Sequence, residues 1–344
     1  MILKKKGFTF AAAAAALALV AGCSSDTGTT DPGNGGDKDG AYVVVVKLSG
    51  VSWFDRMEVG VEDWAKKTGL DARQEGADDA TSEKQVALIE NLLAQSPAAI
   101  TVVPNNPQAL QAVLKKARDA GIVVISHEGV GMGNVDADIE AFDNKAYGAK
   151  IFENLATCMG GEGEYAGFVG QLTAQTHIDW VTGGQELQKK DFPKITNILG
   201  DTWVESLEDE AKAYDRAKEI LQKYPNIKGF QGSASTDVIG IGRAIQEAGL
   251  QDKVCVMGTS TPLDASKYLE DGSIDKIFFW DPARAGEAQL AMAKIFVDGG
   301  TIKEGTDLGV EGYTSLIKHP DHENVWLGDA AVIVDKNNVK DYNF

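Results

Sequence analysis

From Tyr42 onward the chain repeats one pattern: a short β-branched run, a polar turn, then an amphipathic helix. Strands that alternate with helices pack as parallel sheets, covered on both faces and joined by right-handed crossovers. Periodicity predicts strands over 42–48, 70–74, 99–103 and 122–126, with helices over 56–68, 82–95 and 107–120 between them. Past a break near Phe142–Lys145 the series resumes. Helices are expected over 146–159, 177–190, 208–224, 239–248, 262–271 and 283–298, and strands over 164–169, 195–201, 229–232, 254–258 and 274–280. Some 300 residues exceed what one hydrophobic core serves. The expected class is therefore α/β, with two doubly wound Rossmann-like lobes. In open parallel sheets ligands sit outside the carboxyl ends of the strands, so the residues that follow strands are the candidates for function.

The first 23 residues are of another kind. Lys4, Lys5 and Lys6 precede an apolar run from Phe8 to Val20, too short for a membrane span and of the length of a signal-peptide core. The run ends Leu-Val-Ala-Gly-Cys, which resembles the lipobox of bacterial lipoproteins and implies lipidation of Cys23. Residues 24–40 carry no large apolar side chain and read as a flexible tether. The expected location is extracytoplasmic, on the periplasmic face or the outer face of the cell membrane. The formal charge is −18, and removing residues 1–23, which hold three lysines and no acids, takes it to −21. Nucleic acid is not an expected partner of so acidic a chain, because polyanion binding needs a basic patch. With Cys23 lipidated, Cys158 and Cys255 either pair or stay as buried thiols. No cofactor and no metal are expected, because neither cysteine has a second thiol or a histidine cluster nearby. GxSxG, HExxH, P-loop and CxxC motifs are missing, which argues against an enzyme.

The blocks 46–69 (VKLSGVSWFDRMEVGVEDWAKKTG), 84–126 and 331–344 (AVIVDKNNVKDYNF) together resemble the type I, ribose-type, sugar-binding proteins of ABC importers. Within that family the chain looks most like the branch of rhamnose- and autoinducer-2-binding proteins. The resemblance implies hinged, interleaved lobes, 41–142 plus 281–309 and 143–280 plus 310–344, that close on a ligand in the cleft between them. It further implies a monomer that delivers a small neutral sugar or polyol to ABC permease subunits. A signal-binding or chemoreceptor-coupled role is the alternative, and a carbohydrate-active enzyme, which needs two facing carboxylates, the remote one.

The candidate ligand residues follow from these positions. The resemblance implies that Trp53 or Phe54, where the family has an aromatic, stacks on the apolar face of a sugar ring, and Lys47 matches a ligand-binding lysine of the autoinducer-2 branch. Asn105 follows the strand 99–103, with Asn106 as the cap of the next helix. Glu128 stands where the family has an aspartate that binds hydroxyls, next to His127. Gln171, Thr173, Gln175 and His177 follow the strand 164–169, and Ser233 and Ser235 follow 229–232. Trp280 and Asp281 match a Trp-Asp pair of the branch, in which the aspartate bonds ligand; Asp281 also suits an N-cap before Pro282. Thr176 and His177 replace the Asp-Gln pair of the autoinducer-2 branch. Ser233, Ala234 and Ser235 replace its Pro and Ala ligands, as well as the Asn-Asp pair of the ribose branch.

Overall fold

The computed structural model describes residues 40–344. Residues 1–39, which hold the signal segment, Cys23 and nearly all of the tether, lie outside the described residues. The first stretch runs β1 (Tyr42–Val46), α1 (Ser52–Thr68), β2 (Ala72–Gly76), α2 (Ser82–Leu93), β3 (Ala99–Val102), α3 (Pro107–Asp119), β4 (Val123–His127) and β5 (Ala137–Glu140). The second runs α4 (Asn144–Cys158), β6 (Gly163–Val169), α5 (Gln175–Asp191), β7 (Ile195–Asn197), β8 (Val204–Glu205), α6 (Glu210–Lys223), β9 (Ile227–Gly232), α7 (Ser235–Ala248), β10 (Cys255–Thr259), α8 (Pro262–Asp271) and β11 (Lys276–Phe279). The chain ends with α9 (Pro282–Val297), β12 (Ile317–Lys318), β13 (Val325–Leu327), β14 (Val332–Val334) and a 3-10 turn over Val339–Asp341.

Two sheets result, one per lobe. The first has the order β12-β13-β5-β4-β3-β1-β2 and the second β14-β11-β10-β9-β6-β7, with β8 beside the end of β6. Pairing is parallel except at the edge strands β12 and β14. The sequence YVVVV of β1 shows why the sheet is covered twice: Val43 and Val45 join the core under α2 and α3, while Val44 and Val46 join the core on the other face.

The chain passes between the sheets three times, after β5, after β11 and between β13 and β14. The first and third passages run side by side, Gly328 N–H donating to Glu140 O (2.8 Å) and Ala330 N–H to Ala141 O (3.1 Å). Two helix pairs close up on glycine. A Cβ on Gly60 of α1 would come within 1.9 Å of Ala283 O in α9, and one on Gly148 of α4 within 1.9 Å of Trp180 O in α5. Neither position accepts a side chain.

Three expectations need correction. Residues 310–344 do not all join the second lobe: β12 and β13 extend the first sheet, and only β14 belongs to the second. Strand β5 was not expected, because its sequence ADIE carries two carboxylates, yet all four residues are buried. Helix α1 starts at Ser52 rather than at 56, so Trp53 and Phe54 lie on its first turn instead of in a preceding loop. The question left open for the cysteines is answered by a disulfide between Cys158 and Cys255, which ties the end of α4 to the start of β10. The one cluster of metal-ligating residue types among the described residues, Cys158, Cys255 and Asp275, thereby has no thiolate to offer.

Candidate functional site

The carboxyl ends of β1, β4, β9, β10 and β11 face one another across the lobes and enclose a cavity of about 20 Å³. Its first-lobe wall is Lys47, Val51, Trp53, Phe54 and Glu128. Trp280, at the second passage, forms its back, and its second-lobe wall includes His177, Trp180, Glu208, Ser233, Ser235 and Thr259. The indoles form the frame: Trp53 and Trp180 each meet Trp280 edge to face, with ring centres 4.6 and 5.7 Å away. Such tilted contacts align ring edges with ring faces and hold the walls rigid.

The polar centre is a buried ion pair. Lys47 Nζ donates to Glu128 Oε2 at 2.6 Å, and the two side chains are 3% and 4% exposed. Burial alone would depress the Lys47 ammonium, but Glu128, Glu208 and Glu140 together outweigh it and hold the pKa above its ordinary value. Glu128 sits in the left-handed backbone region, with φ 58°, a conformation that costs a non-glycine residue about 1 kcal/mol or more and turns its carboxylate from the end of β4 toward Lys47.

His177 reaches the same point from the other lobe. Burial, then the charge of Lys47, push its pKa well below the ordinary value, so the ring is neutral. Its Nδ1 accepts the Gly170 N–H at 3.1 Å, which leaves the proton on Nε2. That Nε2–H faces Lys47 Nζ at 3.4 Å. Two donors therefore converge on one spot, an arrangement suited to an acceptor oxygen placed between them.

Opposite these donors are acceptors. Glu208 follows β8, and burial pushes its pKa up to about 7, against the pull of Lys47. Asp237, pushed up to about 6 by burial, accepts the N–H groups of Ser233 (3.0 Å) and Ala234 (2.8 Å) and so shapes the turn from β9 into α7. Ser233, Glu208, Thr236 and Trp280 all line the cavity, and their Oγ, Oε1, Oγ1 and Nε1 atoms are buried and without a hydrogen-bond partner among the described residues.

The lobes are closed on each other. Thr176 Oγ1 donates to Glu128 Oε2 (3.4 Å), Thr173 Oγ1 to Asn105 O (3.2 Å), Gln171 Nε2 to Ala80 O, and Ser52 Oγ to Asp264 Oδ1 (3.2 Å). All four bonds join residues of one lobe to residues of the other.

Eight of the fourteen sequence candidates line the cavity: Lys47, Trp53, Phe54, Glu128, His177, Ser233, Ser235 and Trp280. The structure puts the other six elsewhere. Asn105 donates to Lys47 O (2.9 Å) and holds the backbone behind the lysine. His127 Nδ1 donates to Ile139 O (2.6 Å), with its ring against Trp280. Gln171 and Thr173 serve the interlobe rim, and Gln175 donates to the exposed-face Asp179 (2.9 Å). Asp281 caps α9 through Ala283 N–H and is held by two hydrogen bonds from Arg56, 2.8 and 2.6 Å, with the guanidinium 4.0 Å over the Phe344 ring. Its carboxylate borders a separate, larger cavity of about 270 Å³ beside the passages, lined by Phe279, Arg284, Glu311 and Asp329. Sequence reasoning missed Val51, Trp180, Glu208, Thr236 and Thr259. Trp180 lies mid-helix, and β8, which delivers Glu208, is two residues long and has no periodic signature.

Two α/β lobes whose strand ends meet in an interface of aromatic and polar residues define a binding protein of the two-lobed cleft type. A family model described as a periplasmic binding protein domain matches residues 42–301, and the chain belongs to that family. The family is one of extracytoplasmic binding proteins, not of enzymes. The chain is 30% identical over 270 residues to the D-allose-binding periplasmic protein of Escherichia coli, covering 75% of this chain and 83% of that one. It is 21% identical to the ribose import binding protein of Bacillus subtilis, over 79% of this chain and 87% of that one. Among solved structures, LsrB from Clostridium saccharobutylicum in complex with AI-2 superposes with a TM-score of 0.80 at 21% identity, over 88% of this chain and 100% of that one. A Clostridium phytofermentas solute-binding protein with bound L-rhamnose gives 0.80 at 19%, over 89% and 98%. These likenesses are to the fold. Among the described residues no helix is long and apolar enough to cross a membrane.

Proposed function

We propose that this protein captures a neutral monosaccharide or polyol between its lobes and presents it to the permease of an ABC importer, tethered to the membrane by lipid on Cys23. The observation that carries the reading is the polar centre of the cleft. Donors from Lys47 and His177, acceptors on Glu128 and Glu208 and the hydroxyl of Ser233 converge inside a frame of three indoles. A polyol has this pattern, with hydroxyls that donate and accept around an apolar body. One cation set against two carboxylates offers no surplus positive charge to a sugar acid. The sugars named for the relatives above fit the same chemistry.

The closed cavity is too small for a sugar, so the lobes part to admit one. Rotation about the three passages separates the walls and breaks the rim bonds of Gln171, Thr173 and Ser52, and closure over a sugar brings the rim residues back towards one another with the walls held further apart than around the cavity of about 20 Å³. Several charge-assisted bonds in a closed cleft correspond to roughly micromolar or tighter binding. Closure also creates the joined surface that a permease recognises. The passages, with lobes over 41–142 plus 281–328 and 143–280 plus 332–344, are the hinge of this reading.

The test is a thermal-shift screen of the full chain against pentoses, hexoses, deoxysugars, polyols and autoinducer-2. A ligand that binds the folded state raises the melting temperature by mass action. A shift with one sugar family supports the reading; a shift with autoinducer-2 alone replaces it by a signal-binding role, and no shift with any of them overturns it.

A further inference from the structure

Among the described residues, Glu208 is the cleft-lining carboxylate that has a buried oxygen, Oε1, without a hydrogen-bond partner. Its side chain is 9% exposed, and Oε1 has no hydrogen-bond donor within reach. The nearest ring nitrogen, His177 Nδ1, is 3.8 Å away, and its lone pair already accepts the Gly170 N–H. The carboxylate is nonetheless held in place. Leu207 and Glu208 both have left-handed backbones, with φ 60° and 58°, and the carboxylate packs flat on Gly170, where a Cβ would lie 2.3 Å from Oε1. Ser233 Oγ and Thr236 Oγ1, also unpartnered, line the same corner. From the first lobe Val51 borders the same cavity, so closure contributes to the burial. The charged groups facing Glu208 are Lys47 and Glu128 from the first lobe and Asp237 from α7, with the neutral ring of His177 from α5.

A buried carboxylate oxygen without a donor costs more than the same oxygen in water, and the cost is incurred when the lobes close. We propose that Glu208 is a specificity-determining residue of the cleft, whose inner oxygen requires a ligand hydroxyl as donor, so that closure is favourable over a ligand with a hydroxyl at that corner and unfavourable otherwise. This rests on the sugar-binding reading for the ligand's identity, but not for the behaviour of Glu208 itself. The upward push on its pKa is the same penalty seen from the proton's side: the anion lacks the bond that would stabilise it.

Two measurements on the full chain at pH 8, where Glu208 is ionised, test the proposal. The first is calorimetric titration of wild type, Glu208→Leu and the isosteric Glu208→Gln with D-allose, D-ribose, D-xylose, L-rhamnose and singly deoxygenated analogues of each. Wild type is expected to bind one deoxy analogue about ten- to a hundredfold more weakly than its parent sugar. That ratio should shrink towards one in Glu208→Leu and fall in between for Glu208→Gln. The second needs no ligand: small-angle scattering should find both variants more compact than wild type, because their closure buries no charge. Unchanged discrimination in both variants overturns the proposal. If no sugar binds, the sugar reading fails alone, and equal radii of gyration for wild type and variants then overturn the assignment of Glu208.

Discussion

Replacing Lys47 by Met isolates the ion pair on which the cleft is built. The methionine fills nearly the same volume, so the main change is that Glu128, 4% exposed, loses the ammonium 2.6 Å from Oε2. What remains to that oxygen is the hydroxyl of Thr176 at 3.4 Å. Breaking a buried pair from one side costs about 3–5 kcal/mol, because the surviving charge stays desolvated. At roughly 2.1 cal/mol/K of unfolding entropy per residue over about 300 ordered residues, that corresponds to a fall of about 5–8 °C in melting temperature. Urea unfolding followed by tryptophan fluorescence reads the free energy, and calorimetry the temperature. The cycle closes with Glu128→Gln and the double variant. Since the second change removes the stranded charge, the double variant should recover about 2 kcal/mol relative to the sum of the single ones. A Lys47→Met protein within 1 kcal/mol of wild type, or strict additivity in the double variant, would refute the claim that the pair is buried and mutually dependent.

Four further outcomes are expected. Trp280→Ala, which removes the indole shared by Trp53 and Trp180, should destabilise by about 3–5 kcal/mol in chemical unfolding and abolish sugar-induced thermal shifts. His177 has a depressed folded-state pKa, so below about pH 6.5 the unfolded chain binds a proton that the folded chain does not, and stability is lost as pH falls, by up to about 1.4 kcal/mol per pH unit. Unfolding titrations of wild type and His177→Gln between pH 5 and 7.5 should therefore diverge on the acid side; parallel curves would contradict a neutral buried ring. Reducing the Cys158–Cys255 bond opens a loop with a sequence separation of 97, and thermal melts with and without dithiothreitol should differ by the equivalent of about 2–5 kcal/mol. Asp281→Asn keeps the cap on α9 but loses the ionic pairing with Arg56; at 22% and 25% exposure this costs about 1 kcal/mol and should leave sugar affinity within about twofold.

The sequence by itself determined the layered α/β architecture, the two lobes and the places to look. The architecture rests on local periodicity, the two lobes on a length beyond what one core serves, and the places to look on the general rule that parallel sheets bind at their carboxyl ends. Lys47, Glu128, His177 and Trp280 each stand at or just past the end of a predicted strand, or on the helix turn that follows one, and for Lys47, Glu128 and Trp280 it was the family resemblance that singled them out among their neighbours. Only the tertiary structure decided which of the neighbouring residues face inward. His127 and Glu128 are adjacent, yet a left-handed backbone at Glu128 sends one carboxylate to Lys47 while the imidazole turns to Ile139 O. Asp281 had the right position and the right chemistry, and Arg56, 225 residues earlier, holds it outside the cavity. Strand β5 and the return of β12 and β13 to the first sheet were illegible for a related reason. Asp138 and Glu140 are buried carboxyl residues of a short strand, and Asn144 together with the Gly129 N–H satisfies Glu140 only once the fold is assembled. Glu208 is the extreme case. Nothing around it in the sequence marks it, because its burial is set by Gly170 beneath it and by the first lobe closing above.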